Sequence, residues 1–187
     1  INATNENHFQ TPTTAYHLYT DGSYFDTDKV GGRATIIIAT NYEQFALHNI
    51  ICDYTTSEQD TDNNIQEMLA MRDALLWTIQ HKHKHPTQNI QYHIHTDSAY
   101  TLGTTNSTII TEHYQAHNDT NHALYYYAYN FNQVQLHHEH SHTGSPWNEF
   151  ADTIAKQVAK LETHHNPIPT HEDIINNSPH IAWLWLT

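Results

Sequence analysis

Four acidic residues spread along the chain could act together in one metal-dependent reaction: Asp21, Glu67, Asp97 and Asp152. We predict that Asp21 and Asp97 end two adjacent central strands and that the other two lie on helices packed against that sheet. Carboxylates so close together repel each other unless cations neutralise them, and oxygen ligands favour Mg²⁺ or Mn²⁺. Two such ions can activate a water molecule and stabilise the leaving oxygen in an in-line phosphodiester displacement.

Each acid taken alone has an ordinary structural explanation. Asp21 precedes Gly22, and Asp-Gly is common in turns. Glu67 is predicted in the first turn of a helix, where a carboxylate suits the helix dipole and a capping box. Asp97 could be a helix N-cap, and Asp152 could be one of the solvated acids usual on helices. The functional interpretation therefore depends on the four residues considered together.

The hydrophobic pattern predicts the elements that position these acids. Segments 16–20, 33–41 and 44–55 are rich in β-branched and aromatic residues and predict three antiparallel strands. The polar stretch 56–63 is followed by apolar residues at helical spacing, which predict a helix with one buried face. Segment 89–96 alternates apolar and polar residues and predicts a fourth strand.

The second half of the chain predicts a helix, a strand and a final helix. The aromatic run Tyr125–Tyr129 is expected in a helix on the sheet, and Val134–Ser141 is expected to be a fifth strand. Ser145 and Pro146 supply an N-cap and a first helical residue. The element order therefore predicts an α/β fold with a five-stranded mixed sheet, three antiparallel strands followed by two further strands, flanked by helices.

The composition fits one folded domain with short extensions. The chain has 187 residues, a single cysteine, and no apolar run near the roughly 20 residues needed to cross a bilayer. We therefore expect an intracellular protein that does not enter a membrane. Residues 1–14 are expected to form a flexible N-terminal segment, 15–162 the domain, and 163–187 a C-terminal tail of unknown role.

Net charge is the main argument against a nucleic-acid partner. Seven Lys and Arg against 20 Asp and Glu give −13 at pH 7, whereas proteins that bind nucleic acids use Lys and Arg to contact phosphates. The chain also holds 19 histidines, and protonating all of them would move the formal charge to +6. The charge of the protein therefore depends strongly on pH.

Four short motifs contain the acids in a recognisable order. They are Tyr-Thr-Asp-Gly-Ser at 19–23, Asn-Asn-Ile-Gln-Glu-Met-Leu-Ala at 63–70, and Thr-Asp-Ser-Ala-Tyr at 96–100. The fourth, at 142–152, matches His-x-Gly-x-x-x-Asn-Glu-x-Ala-Asp at every defined position. Together they resemble the motifs of the type 1 ribonuclease H family, over about residues 16–161.

The resemblance implies hydrolysis of the RNA strand of RNA/DNA hybrids, leaving 3′-hydroxyl and 5′-phosphate ends. It implies that Asp21, Glu67, Asp97 and Asp152 hold two Mg²⁺ ions, for which Mn²⁺ can substitute. By the same resemblance, His142 would assist proton transfer or product release. The residues expected to contact the hybrid, some through RNA 2′-hydroxyls, are Gly22, Ser23, Asn63, Asn64 and Asn148.

Several positions depart from the family pattern. Asp62 stands where the family commonly has a Thr that touches a DNA phosphate, and an acid there repels phosphate unless Thr61 substitutes or the register of the motif shifts. Ala99 replaces a frequent Gln that reaches the bases. Residues 105–130 contain no Lys or Arg, so the basic protrusion of many cellular members is absent or replaced. The pattern resembles domains within reverse transcriptase polyproteins of retroelements, which implies an adjoining reverse transcriptase domain.

Three other interpretations stay open. A binding or scaffold domain without catalysis would fit the acidic composition and the altered phosphate position. Nucleases and integrases of similar fold fit the order of the acids less well. The histidine-rich segments 81–85 and 137–140 suggest a transition-metal site, because strand alternation would place His138, His140 and His142 on one side.

Overall fold

The structure, a computed structural model, describes residues 14–41, 44–56, 58–140, 145–163, 167–168 and 170–176. No helix in this part of the chain is long and apolar enough to cross a membrane. The strands and helices found in it are β1 Thr14–Phe25, β2 Val30–Asn41, β3 Gln44–Thr55, α1 Asn63–Lys84, β4 Ile90–Thr96, α2 Ala99–Thr105, α3 Gln115–Asn132, β5 Val134–His138, α4 Pro146–Thr163 and α5 His171–Asn176.

The strands form a mixed sheet in the order β3-β2-β1-β4-β5. β2 pairs antiparallel with β1 and with β3, whereas β4 pairs parallel with β1 and with β5. Parallel neighbours need a crossover connection. Here α1 connects β3 to β4, and α2 with α3 connects β4 to β5. The predicted α/β fold with a five-stranded mixed sheet is confirmed.

Helices cover both faces of the central strands. α1 and α3 pack on one face and α4 on the other. Ile37 of β2 belongs to the α1-side core, whereas Ile36 and Ile38 belong to the α4-side core. Successive side chains of a strand point to opposite faces, so this isoleucine run contributes to both cores. The central strands are therefore buried on both sides.

α4 buries one apolar face against the sheet. The helix begins at Pro146, and Phe150, Ile154 and Val158 are 2%, 1% and 1% exposed. They pack with the isoleucines of β2 in the α4-side core. This packing fixes the rotation of α4 and therefore the direction in which Asp152 points.

Three strand ends were predicted wrongly, and one of them is the start of β2, which begins at Val30 and not at residue 33. β1 continues to Phe25 instead of ending before Asp21, because residues 21–25 pair with 30–34 of β2. β5 ends at His138, and the predicted end at Ser141 lies outside the described residues. The histidine alternation expected along that strand therefore does not continue past His138.

Region 98–132 forms two helices instead of one. The first, α2, begins after Ser98, whose Oγ accepts a hydrogen bond from the backbone N of Thr101 at 3.1 Å. The run Tyr125–Tyr129 lies in α3, as predicted. Within it Ala128 is fully buried, while Tyr126, Tyr127 and Tyr129 are exposed. The helix therefore uses only part of its aromatic run to pack on the sheet.

Gly32→Ala is expected to destabilise the domain. A Cβ at position 32 would collide with the carbonyl oxygen of Ala155 and lie 2.6 Å from the backbone N of Ala159. Both are backbone atoms of α4, so the helix would have to move away from β2. We expect the free energy of unfolding to fall by about 1–3 kcal/mol in urea denaturation.

Gly103→Ala is the matched control. A Cβ at position 103 would meet the side chain of Ile109, with Cγ1 at 2.5 Å. A side chain of this kind can change rotamer, and Ala also favours the helical conformation of α2. A loss of stability at position 103 as large as that at position 32 would contradict the close packing of α4 on β2.

Candidate active site

Asp21 and Asp97 lie next to each other where the parallel pairing of β1 and β4 ends. The last paired residues are Thr20 and Thr96, and each acid is the next residue of its chain segment. The backbone N–H of Gly22 donates a hydrogen bond to Oδ1 of Asp21 at 2.9 Å, which fixes that carboxylate. The strand order therefore brings the two acids to one edge of the sheet.

Glu67 reaches this edge because α1 crosses closely over Gly22. A Cβ at position 22 would collide with the backbone N of Glu67 and lie 2.5 Å from the carbonyl carbon of Gln66. The glycine lies inside β1, so it serves a close approach of helix and strand and not a turn. The absence of a side chain at position 22 thus lets Glu67 come close to Asp21.

The N-cap of α1 is Asp62, whose Oδ1 accepts a hydrogen bond from the backbone N of Ile65 at 2.8 Å. Glu67 therefore lies in the second turn of the helix, and its predicted first-turn position and capping-box role are wrong. Asp62 also accepts a hydrogen bond from the Tyr114 hydroxyl. The acid that departs from the family pattern is thus held by two donors within the domain.

Three carboxylates form a tight cluster. Single oxygens of Asp21, Glu67 and Asp97 lie within 4.8 Å of one another. Asp21 and Glu67 are only 3% and 5% exposed. Burial raises the pKa of Asp21 to about 7; a hydrogen bond with Glu67 lowers it, and the charges of Asp97 and Asp152 raise it. Burial likewise raises the pKa of Glu67 well above its ordinary range, and the charge of Asp21 adds to this.

Asp152 faces the same cleft from α4 but is not part of the tight cluster. Its Oδ2 accepts a hydrogen bond from Nζ of Lys156, one helical turn later, at 2.8 Å. Its side chain is 31% exposed. The structure therefore brings all four predicted acids to one cleft, with oxygens of three of them within 4.8 Å of one another and Asp152 hydrogen-bonded to both Asp21 and Lys156.

The cleft also contains part of the predicted substrate-binding set. Gly22, Asn63 and Asn148 line it, whereas Ser23 and Asn64 are not among the described residues that do. Ser23 is buried. His142 lies outside the described residues, so its predicted role stays a prediction. The described residues lining the cleft are Asp21, Gly22, Asn63, Glu67, Asp97, Asn148, Glu149 and Asp152.

Comparison with known proteins identifies the family. The family model described as RNase H matches residues 13–160, a range that contains all four acids. The chain belongs to the RNase H family. No match was found among curated proteins.

Solved structures show the same fold as this RNase H domain. RNase H1 of Halobacterium salinarum is 16% identical, with a TM-score of 0.59, over 78% of this chain and 98% of that one. The N-terminal RNase H domain of a Mycobacterium tuberculosis protein is 13% identical, with a TM-score of 0.59, over 83% and 99%. LC11-RNase H1, isolated from compost, was solved with an RNA/DNA hybrid; it is 14% identical, with a TM-score of 0.60, over 78% and 96%.

The RNase H site includes two residues that sequence reasoning missed. Glu149 lines the cleft, and Lys156 holds the carboxylate of Asp152. Both lie on α4, three residues before and four residues after Asp152, so they share its helical face. This helical spacing was a signal for both residues, and for Glu149 the motif at 142–152 was a second one, because it defines Glu at that position.

Proposed function

We propose that this RNase H domain hydrolyses the RNA strand of RNA/DNA hybrids with two divalent ions, Mg²⁺ or Mn²⁺, and leaves 3′-hydroxyl and 5′-phosphate ends. The observation that carries the proposal is the group of three carboxylates within 4.8 Å, with Asp152 on the same cleft. The hybrid bound to LC11-RNase H1 supports the same class of substrate.

The residues present fit hard divalent ions. Among the described residues, the only group of three or more possible ligands this close together is the carboxylate cluster, and its donors are all oxygens. Oε2 of Glu67 is buried without a hydrogen-bond partner in the structure, and a cation would satisfy it. Metal ions held by the four acids would supply an activated water and stabilise the leaving oxygen.

Two asparagines at the cleft are suited to positioning the RNA strand. Oδ1 of Asn148 is buried without a hydrogen-bond partner in the structure, and a ribose 2′-hydroxyl can donate a hydrogen bond to it. Asn63 is exposed at the first residue of α1 and offers both a donor and an acceptor. Selection of RNA over DNA would therefore depend on amide groups that lie beside the carboxylates.

Affinity for the hybrid needs a source other than this domain's net charge, which is −13. Residues 106–114, which connect α2 to α3, contain no Lys or Arg. We propose that an adjoining reverse transcriptase domain of an intracellular retroelement supplies most of the phosphate contacts. The isolated domain would then cleave hybrids weakly, with a strong dependence on salt.

End-labelled RNA/DNA hybrid incubated with Mg²⁺ or with a chelator tests the proposal. We expect RNA cleavage only with metal, with no cleavage of double-stranded DNA, double-stranded RNA or the DNA strand of the hybrid. Ligation of the products, with and without phosphatase treatment, should show 3′-hydroxyl and 5′-phosphate ends. Cleavage in the chelator, or equal cleavage of double-stranded RNA, would overturn it.

A nucleic-acid-binding or scaffold domain with weak or no catalysis is the second candidate, and the acidic charge of the chain favours its scaffold form because acidic side chains repel the phosphates of a substrate. Asp62 supports it less than the sequence suggests, because its carboxylate is already bonded to Ile65 and Tyr114. The two candidates separate in one assay. A non-catalytic domain would release no cleaved RNA with Mg²⁺, and a filter-binding experiment would show whether it retains the intact hybrid or does not bind it.

Lys156→Gln is expected to lower the Mg²⁺ concentration needed for half-maximal cleavage by about two- to fivefold. The ammonium group of Lys156 occupies Asp152 and therefore competes with a cation there. Both side chains are partly exposed, at 50% and 31%, so the effect is limited by solvent screening. Magnesium titrations of initial cleavage rates measure it.

Lys160→Gln is the matched control for charge. Lys160 lies one turn further along α4, over the ring of Phe25 at 5.7 Å. It should leave the Mg²⁺ requirement near that of the wild type. A higher Mg²⁺ requirement in the Lys156 variant would show that the lysine helps the site and does not compete with metal.

A further inference from the structure

The last turns of α1 and α3 enclose an open groove, which we call the α1–α3 groove. Its volume is about 300 Å³, and a cavity of about 150 Å³ is enough to bind benzene, so the groove can hold an aromatic side chain. α1 has 22 residues, which places its last turn about 30 Å from Asn63 at the cleft. The described residues lining the groove are Ile79, Gln80, Lys82, His83, Pro86, Tyr127 and Asn132.

The α3 wall of the groove is aromatic and exposed. Tyr127 is 48% exposed, and Phe131, one helical turn later, is 67% exposed. Their rings lie 4.8 Å apart, measured between centroids, so they form one aromatic surface. Grouped apolar side chains that face solvent mark surfaces that bind another polypeptide.

The loop after α1 forms the opposite wall and is held in place by hydrogen bonds. Nζ of Lys82 donates a hydrogen bond to the carbonyl oxygen of Gln88 at 2.7 Å. The backbone N of His85 donates one to the carbonyl oxygen of His81 at 3.1 Å. Pro86, within this loop, is exposed. The two walls are therefore fixed by the fold, which lowers the entropic cost of binding a segment between them.

Asn132 supplies an unused hydrogen-bond donor to the groove. Its side chain is only 8% exposed, and its Nδ2 is buried without a hydrogen-bond partner among the described residues. Buried amide groups are nearly always paired. Rotation about χ2, which is a broad torsion in asparagine, would present this donor to a carbonyl oxygen in the groove. A polypeptide offers such an oxygen at every residue.

The segment that precedes β1 leaves the domain beside this groove. The backbone N of Thr14 donates a hydrogen bond to the carbonyl oxygen of Asn89 at 3.3 Å. Asn89 follows Pro86 by three residues, which span at most about 11 Å. Phe9 precedes Thr14 by five residues, which span at most about 17 Å. The side chain of Phe9 can therefore reach the groove.

The composition of residues 1–13, which lie outside the described residues, suits the groove. Phe9 is the only aromatic residue among them apart from a histidine, Glu6 is the only acid, and there is no Lys or Arg. Lys82 and His83 line the groove, so the charges of the two surfaces are complementary at neutral and lower pH.

The aromatic residues at 183–185 are less well placed to fill the groove. The described chain ends in α5, whose Ile174 packs in the α4-side core. The groove lies between α1 and α3, which cover the other face of the sheet. A segment that continues from α5 would have to pass around the sheet, whereas residues 1–13 begin their path next to the groove.

We propose that residues 6–13 bind in the α1–α3 groove, with Phe9 packed between Pro86 and Tyr127 and a backbone carbonyl paired to Asn132. Burial of the Phe9 ring against the exposed aromatic wall stabilises the domain. The flexible segment expected from the sequence would then be limited to the residues before Glu6. The proposal does not depend on nuclease activity.

Photocrosslinking in the full chain tests the contact directly. With p-benzoylphenylalanine in place of Tyr127, we expect crosslinks to residues 6–12 of the same chain, located by mass spectrometry. The matched control has the same amino acid in place of Tyr126, which is 65% exposed on α3 and does not line the groove; it should not form these crosslinks. Crosslinks from position 127 to a second chain or to residues 177–187, or none to residues 1–13, would overturn the proposal.

Thermal unfolding gives a second measurement. Phe9→Ala and Tyr127→Ala should each lower the Tm by about 2–4 °C. The double variant should lose little more than either single variant, because both substitutions remove the same contact. Phe9→Ala combined with Tyr126→Ala should instead give additive losses. An unchanged Tm in Phe9→Ala, or additive losses from Phe9→Ala and Tyr127→Ala, would contradict the proposed contact.

Discussion

Asp97→Asn is expected to reduce Mg²⁺-dependent cleavage of an RNA/DNA hybrid by about 10³-fold, or about 4 kcal/mol of transition-state stabilisation. Asp97 provides one of the three carboxylates within 4.8 Å. Asparagine keeps the shape of the side chain but loses the charge that a divalent ion requires. Single-turnover cleavage of labelled hybrid at saturating protein measures the chemical step without a contribution from weak binding.

Asp119→Asn is the control for this substitution. Asp119 is exposed on α3, a helix with no residue among those that line the cleft. Its substitution is chemically the same, Asp to Asn. It should cleave at the wild-type rate. An Asp97→Asn protein that cleaves as fast as Asp119→Asn would exclude the carboxylate cluster as the reaction centre, provided that both variants show the wild-type Tm.

The strands were predictable because their hydrophobic pattern is strong and local. Ile36–Ile38 has apolar side chains for both faces of a buried strand, and 90–94 alternates as a strand must. The end of β1 was not predictable, because residues 21–25 extend the strand only through their pairing with β2. α2 was missed because seven residues rich in Thr carry little helical signal.

The four acids were predictable from their motifs, but their positions within the helices and their hydrogen-bond partners were not. The position of Glu67 in the helix depends on which residue caps α1, and Asp62 competes for that role with the neighbouring asparagines. The carboxylate of Asp152 could face solvent, a metal ion or Lys156. The sequence spacing alone does not decide among these partners, and the structure shows Lys156. The proximity of His17, His93, His95 and His137 depends on the register of three strands, since these residues lie up to 120 positions apart in the chain.

Asp21→Asn is expected to stabilise the metal-free domain at pH 8 while it abolishes metal binding. Burial raises the pKa of Asp21 to about 7 in the folded state, above the value of about 4 for an unfolded carboxyl group. The folded state therefore holds a proton more tightly than the unfolded state. The stability from this proton is fully present below about pH 4 and is lost as the pH rises through about 7.

Urea unfolding in a chelator should show this loss in the wild type between pH 5 and pH 8, and a smaller slope in Asp21→Asn. At pH 8 we expect the variant to be more stable by about 2 kcal/mol, because the amide removes a buried charge beside Glu67 and Asp97. Added Mg²⁺ should reduce or reverse this difference in the free energy of unfolding, because only the wild type gains stability from binding the ion.

Asp28→Asn, in the exposed turn between β1 and β2, is the matched control and should keep the wild-type slope. Equal stability of wild type and Asp21→Asn at pH 8 without metal would mean that the buried carboxylates do not repel each other in the folded state. The cluster would then have no electrostatic need for cations. If Asp21→Asn is more stable than the wild type without metal and is not stabilised by Mg²⁺, the result would support the opposite conclusion. The acids of the wild type would then lower the stability of the metal-free domain and raise it when they bind ions.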